Sequence, residues 1–213
     1  TYILDSGPIM STRKSVADVL DSVPEYSEFY KLLEGSSFLE TLHEVGSAKH
    51  GCASRNISFF NTFRYTVLVP KNEAIKELIA NGELPTWEDV EAIEDDDSLK
   101  AVLTAEIEDF IRYHIVDNSF FIGQGSTSGK FETSSYSING GELSYHKVDV
   151  NCSNDGLTVT DDCGYTRKVM TGNPKLYNRI AREWIYEESD ATRASEIYTT
   201  SNAVVHLIDG VLR

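Results

Sequence analysis

The sequence predicts an α+β fold, and three observations carry that expectation. Helical periodicity fills the chain as far as His114. Alternating patterns broken by turn dipeptides fill 130–170. The last strand-like run, 203–208, stands far in sequence from the first, 64–69. No linker rich in Pro, Gly or Ser and no internal repeat divides the 213 residues. They read as one domain over 15–213 behind an N-terminal extension, 1–14.

Taken in order, Ser15 is placed to cap a helix carrying Val16, Val19, Leu20 and Val23, with Pro24 as its stop. Phe29, Leu32 and Leu33 continue an apolar face. Phe38, Leu39, Leu42 and Val45 make another, closed by Gly46. Residues 47–63 are polar and read as a loop. Arg64 to Val69 is β-branched and aromatic, which predicts a buried strand ended by Pro70. Asn72 then stands as the cap of a short helix that Asn81-Gly82 terminates. Thr86 caps another, with Asp89 three residues on. Acids at 94–97 precede Ser98, the expected cap of a long helix. Its stripe is Leu99, Val102, Leu103, Ile107, Phe110 and Ile111.

Beyond His114 the glycines at 123, 125 and 129 mark a loop. Turn signals at Asn139-Gly140-Gly141 and Asp155-Gly156 then space four short antiparallel strands near 131–138, 142–150, 157–160 and 165–169. Asn173-Pro174 predicts one more helix, with Leu176, Tyr177, Ile180, Ala181, Trp184 and Ile185 as its buried face. Ala203 to Ile208 closes the chain as a strand, followed by a turn at Asp209-Gly210.

Composition narrows the partners. The apolar fraction is 40% and the charged fraction 25%, as in globular proteins. Thirty-four acidic against 19 basic residues give a net charge of −15. That charge opposes nucleic acid and anionic lipid head groups and leaves cations or basic partner surfaces open. No apolar run is long enough to span a bilayer. The start at Thr1 reads as a processed chain whose export signal or anchor lies upstream.

Motifs of enzymes and metal sites do not form. His43, His50, His114, His146 and His206 include no i, i+4 pair and no His-Glu-x-x-His, so no metal site is expected. The acids 94–97 lack the alternation and glycine of a calcium loop. Residues 123–129 lack the lysine of a phosphate loop and precede a strand where a phosphate cradle opens a helix. Cys52 stands near His50 and Arg55 in a polar loop, where loop thiols beside bases are common by chance. No serine or cysteine stands in a nucleophile elbow. Asn56-Ile57-Ser58 and Asn151-Cys152-Ser153 fit the N-glycosylation pattern, which carries meaning only in a eukaryotic protein. Cys152 and Cys163 flank the turn at Asn154-Asp155-Gly156. They are read either as a bridge across a hairpin or as two reduced thiols.

Three segments bear a family likeness. Thr66-Val67-Leu68-Val69-Pro70-Lys71-Asn72-Glu73-Ala74-Ile75 gives a strand, a proline and an Asn-Glu-Ala helix start. Tyr113-His114-Ile115-Val116 ends the long helix. Ser201-Asn202-Ala203-Val204-Val205-His206-Leu207-Ile208-Asp209-Gly210-Val211-Leu212 closes the chain. Together, and in this order, they resemble the signatures of the fasciclin family from about Ser15 to Leu212. The segments near 81–97 and 173–188 look like insertions relative to a minimal member, and the segment from Asn173 is similar to bacterial members carried on surface proteins.

The resemblance implies a twisted antiparallel β-sheet wedge packed with several α-helices. It implies adhesion to an extracellular protein or glycan ligand, without catalysis, cofactor or metal. It implies a place outside the cytoplasm, at the outer membrane of a Gram-negative bacterium, with a lipid anchor or a further fasciclin domain upstream. Animal members bind integrins through the Tyr-His region and through an acidic-Ile segment before the closing signature. By that match the binding residues here are Tyr113, His114, Glu196, Ile197 and Tyr198. Ser195-Glu196-Ile197-Tyr198 departs from the family's Pro-Asp-Ile, and no Arg-Gly-Asp occurs. His114 has a second reading as a ring bonded to backbone at the helix end. A glycan-binding or nutrient-uptake accessory protein is the alternative function, and a hydrolase built on a triad or a carboxylate pair the third.

Overall fold

The computed structural model describes residues 14–38, 64–186 and 197–213, with backbone only at 183–186 and 197–201. The extension 1–13, the helical pattern from Leu39 to Val45, the loop 47–63, Cys52 and Glu196 lie outside the described residues.

Helix α1 (Val16–Asp21) opens on Ser15, whose hydroxyl accepts from Asp18 N while the Asp18 carboxylate takes Ser15 N. A short 3-10 helix, Pro24–Tyr26, leads into α2 (Ser27–Glu34). Strand β1 (Arg64–Pro70) follows, then α3 (Asn72–Ala80). Asn72 does not cap α3, since Lys71 holds that position. Its amide reaches back instead. It accepts from Glu28 N at 3.1 Å and donates to Pro24 O at 2.9 Å and Ser27 Oγ at 3.1 Å. Asn72 thus supplies α2 with a donor's partner at its first turn, where helix N–H groups have none of their own. Asn72→Ala is expected to cost about 1–2 kcal/mol in denaturant unfolding, through loss of these bonds.

Helix α4 (Trp87–Glu91) carries the expected Thr86–Asp89 capping box. Helix α5 (Asp97–Tyr113) is capped by Asp96, two residues before Ser98. Acids at the positive helix end serve as well as a serine, which is why the sequence alone misplaced the boundary. Only Ile107 and Ile111 of the α5 stripe are buried, while Leu99 and Val102 are 46% and 50% exposed.

Strand β2 (Ile115–Asp117) was not expected from the sequence. Strands β3 (Thr127–Asn139), β4 (Glu142–Cys152), β5 (Leu157–Thr160) and β6 (Thr166–Lys168) follow the predicted spacing, with β3 beginning inside the expected glycine loop. Gly140 and Gly141, both at positive φ, form the two-residue turn joining β3 to β4. The helix expected from Asn173 is not there. Leu176 N bonds Asn173 O in a turn, and Asn178 at φ 51° bends the chain into strand β7 (Arg179–Tyr186). The Asn178 side chain is gripped by both backbone groups of Ile122, which fixes this left-handed residue. Short runs such as Ile180-Ala181 and Trp184-Ile185 suit strand and helix alike, and pairing with β8 (Ile197–Ile208) decides for strand.

The eight strands form one sheet in the order β6-β5-β4-β3-β2-β1-β8-β7. All neighbours are antiparallel except β1 and β8, which run parallel from Arg64↔Asn202 to Pro70↔Ile208. The sheet is therefore a mixed one, with its first and last strands side by side in its interior, one strand from the β7 edge. β1 is buried on both faces from Tyr65 onward, as central strands are. Val67 and Val69 join a core with the helices that includes Leu20, Phe29, Ile75 and Ile111. Leu68 points the other way, into a second core with Val116, Phe120, Val148, Val150 and Ile208. The period of two along β1 thus divides the molecule into two cores.

Among the described residues, Cys152 and Cys163 are free thiols. Cys152 stands opposite Leu157 in the β4–β5 pair and is buried, whereas Cys163 sits in the next turn, between β5 and β6, and is exposed. The turn at 154–156 therefore does not bring the sulfurs together.

Candidate binding groove

The end of α5 leaves carbonyls without helical partners, and two of them are met by side chains. The His114 ring takes Phe110 O at 2.8 Å, and Ser134 Oγ takes Arg112 O at 2.7 Å. Ser134 and Ser135 are buried in the irregularity that breaks the β3–β4 register between Glu132 and Tyr136. Ser135 Oγ donates to Asp109 at 2.6 Å. This bulge presses the sheet against the last turns of α5.

His114 is fully buried. Leu212 N–H donates to Nε2 at 3.1 Å, so the ring proton lies on Nδ1 and is given to Phe110 O. Burial lowers its pKa to about 4, against smaller opposite effects of the Phe110 bond and Asp161. His206 carries the mirror arrangement. Asn178 N donates to Nδ1 and Nε2–H donates to Phe120 O at 2.8 Å, and burial again lowers the pKa to about 4. Both rings are neutral at pH 7 and join distant backbone segments. One ties α5 to the chain end, the other β8 to the loops at 120 and 178. Asp161, also buried, completes the clasp by accepting from Tyr165 N and Arg213 N.

Tyr113 differs from its neighbour. It is half-buried, and its hydroxyl accepts from Asp162 N at 3.3 Å. Burial, with Asp162 and Asp161 nearby, pushes its pKa up to about 12, so it stays a neutral phenol. Its ring meets that of His146 edge-on at 6.2 Å. Here a groove of about 810 Å³ opens along α5. Val102, Ala105, Phe110 and Tyr113 form one side. Ser135, His146, Asp162 and Cys163 form the other. Leu78, Glu83 and Leu84 close one end with Leu212 and Arg213, and Arg213 pairs with Glu83 at 2.9 Å. The volume is that of a pocket for a drug-sized molecule or a few side chains.

Of the residues expected to bind, Tyr113 lines this groove. His114 lies behind it with no accessible surface. Its ring bonds Leu212 N and meets the Tyr113 ring edge-on at 6.4 Å, both residues of the groove wall. Ile197 and Tyr198 are the first residues of β8, with Ile197 opposite Tyr186, beyond the stretch paired with β1. Glu196 is outside the described residues. Sequence reasoning missed the rest of the groove, because its walls come from distant stretches of chain, from Leu78 to Arg213, that share no local pattern. The surplus apolar stripe on α5, longer than the core it covers, was the available signal.

Among the described residues no helix is long and apolar enough to cross a membrane. No curated protein sequence matches the chain. The fasciclin domain family model matches residues 24–213, nearly its whole length. Members are in general adhesion and protein-interaction domains, typically extracellular or at the cell surface, and non-catalytic. With the three signature segments placed in β1–α3, at the end of α5 and in β8, the chain belongs to the fasciclin family.

Proposed function

We propose that this chain is a non-catalytic adhesion module on a bacterial surface protein, held outside the cytoplasm and associated with the outer membrane. It engages an extracellular protein partner at the groove beside Tyr113. The observation that carries this reading is the groove itself, an open apolar channel on a rigid frame of α5 and the sheet. Glu196, Ile197 and Tyr198 are offered as a second contact by family likeness alone. A screen of the purified chain against matrix proteins and glycans tests it, beside Ala105→Trp, which fills the groove from an exposed helical position. A protein ligand is expected, bound at least about tenfold more weakly by the folded variant. Ligands held equally by both would remove the groove from the account.

The alternative, a glycan-binding or uptake accessory role, draws on a different surface. Tyr136 and Tyr145 face each other across the β3–β4 hairpin, 41% and 37% exposed, with Ile138 and Leu143 beyond them. Their rings lie 6.1 Å apart at 75°, so each offers a separate face to a sugar. Under this reading Tyr145→Ala abolishes glycan capture and Ala105→Trp does not.

A further inference from the structure

We infer that the occupant of the α5 groove is a basic segment of a partner protein, with apolar side chains inserted and Lys or Arg at its rim. This rests on the groove being the binding site, as proposed above. Two independent features of the groove select that chemistry. The first is its apolar side, where Val102 is half exposed and Ala105 leaves room beside Phe110 and Tyr113. Exposed apolar surface on a helix face gains by being covered, at about 25 cal/mol per Å² buried.

The second is charge. Glu83, Glu106, Asp109 and Asp162 line the groove, and Arg213 is the cation among the described lining residues. Arg213 is already paired with Glu83. His146 lies 3.9 Å from Asp162 and is 40% exposed. The rim is therefore negative within a chain of net charge −15. Lys and Arg suit both features, since their aliphatic stems lie over apolar surface while their charged heads reach rim carboxylates. An acidic segment would set like charges against Glu106 and Asp162, which costs affinity and encounter rate. Anionic lipid is repelled for the same reason.

The test uses the full chain and two fluorescein-labelled amphipathic peptides of identical leucine pattern, one with lysine and one with glutamate at the polar positions. Fluorescence anisotropy measures affinity at low and physiological salt. The lysine peptide is expected to bind at least about tenfold more tightly than the glutamate peptide, and to weaken as salt screens the rim. Ala105→Trp should abolish this binding, and Glu106→Lys, at an exposed helical site, should weaken it severalfold without loss of fold. Equal binding of the lysine peptide by Ala105→Trp would overturn the inference, because attraction would then be to the acidic surface at large. Equal affinity for both peptides, lost in Ala105→Trp, would overturn the charge assignment and leave the groove as the site. No binding of the lysine peptide would overturn the inference as well, while the matrix screen reports on the groove separately.

Discussion

Lowering the pH from neutrality to about 4 should destabilise this protein by several kcal/mol, and the two buried histidines account for the loss. His114 and His206 have pKa values lowered to about 4 from 6.5, chiefly by burial. Between those values the unfolded chain binds protons that the folded one refuses, so stability falls as pH falls through this window. It levels off below about 4, where the folded rings also protonate. Each ring contributes about 3 kcal/mol at the full shift, with no discount for solvent because both are fully buried. Urea unfolding at a series of pH values checks this. Replacing both rings, His114→Gln with His206→Gln, should flatten the profile across the window even if it lowers stability at neutral pH. An unchanged slope would assign the acid sensitivity to other groups.

Phe120→Ala should cost on the order of 4 kcal/mol. The ring is 2% exposed and packs edge-on against Phe131 at 4.8 Å in the second core. The backbone around it is equally committed. Phe120 N donates to Thr66 Oγ1 at 3.1 Å, and Phe120 O accepts from His206. Thr66 Oγ1 in turn donates to Asn118 O at 2.8 Å. Removing the ring leaves a cavity between β1 and the curled strands, and loosens the loop that orients His206. Denaturant unfolding should show a lower midpoint, with the slope retained if the variant still unfolds in one step. A loss under about 1 kcal/mol would mean that the second core tolerates the cavity by collapsing.

Much of this architecture was legible from local chemistry. Ser15 caps the apolar helix it was expected to open, Thr86 caps where Asp89 three residues on placed it, and the β3–β4 turn falls on Asn139-Gly140-Gly141. The buried run from Tyr65 to Val69 announced a central strand. What failed was decided at a distance. Strand β7 exists because β8 offers its edge and Asn178 is held by Ile122, and neither partner is visible in residues 173–188 themselves. Asn72 was read as a helix cap because its neighbours look like a helix start, yet its bonds go to α2, 44 to 48 positions earlier. The parallel pairing of β1 with β8 joins the two ends of the domain and has no local signal.

Of the groove proposed as the binding site, only one residue was legible. Tyr113 was named from the family pattern, and it lines the groove. His114 lies beneath the surface, because its ring donates to a carbonyl of the helix end through one nitrogen and accepts from Leu212 N through the other. Leu84, His146, Asp162 and Leu212 converge on Tyr113 through the fold alone.

The account stands or falls on where a captured protein partner binds. The direct measurement is its affinity for the wild-type chain, for Ala105→Trp and for Tyr198→Ala, each verified as folded. The groove reading predicts a loss of about tenfold or more for Ala105→Trp and a smaller one for Tyr198→Ala. Wild-type affinity in Ala105→Trp, with binding lost in Tyr198→Ala, would contradict it and move the site to the start of β8.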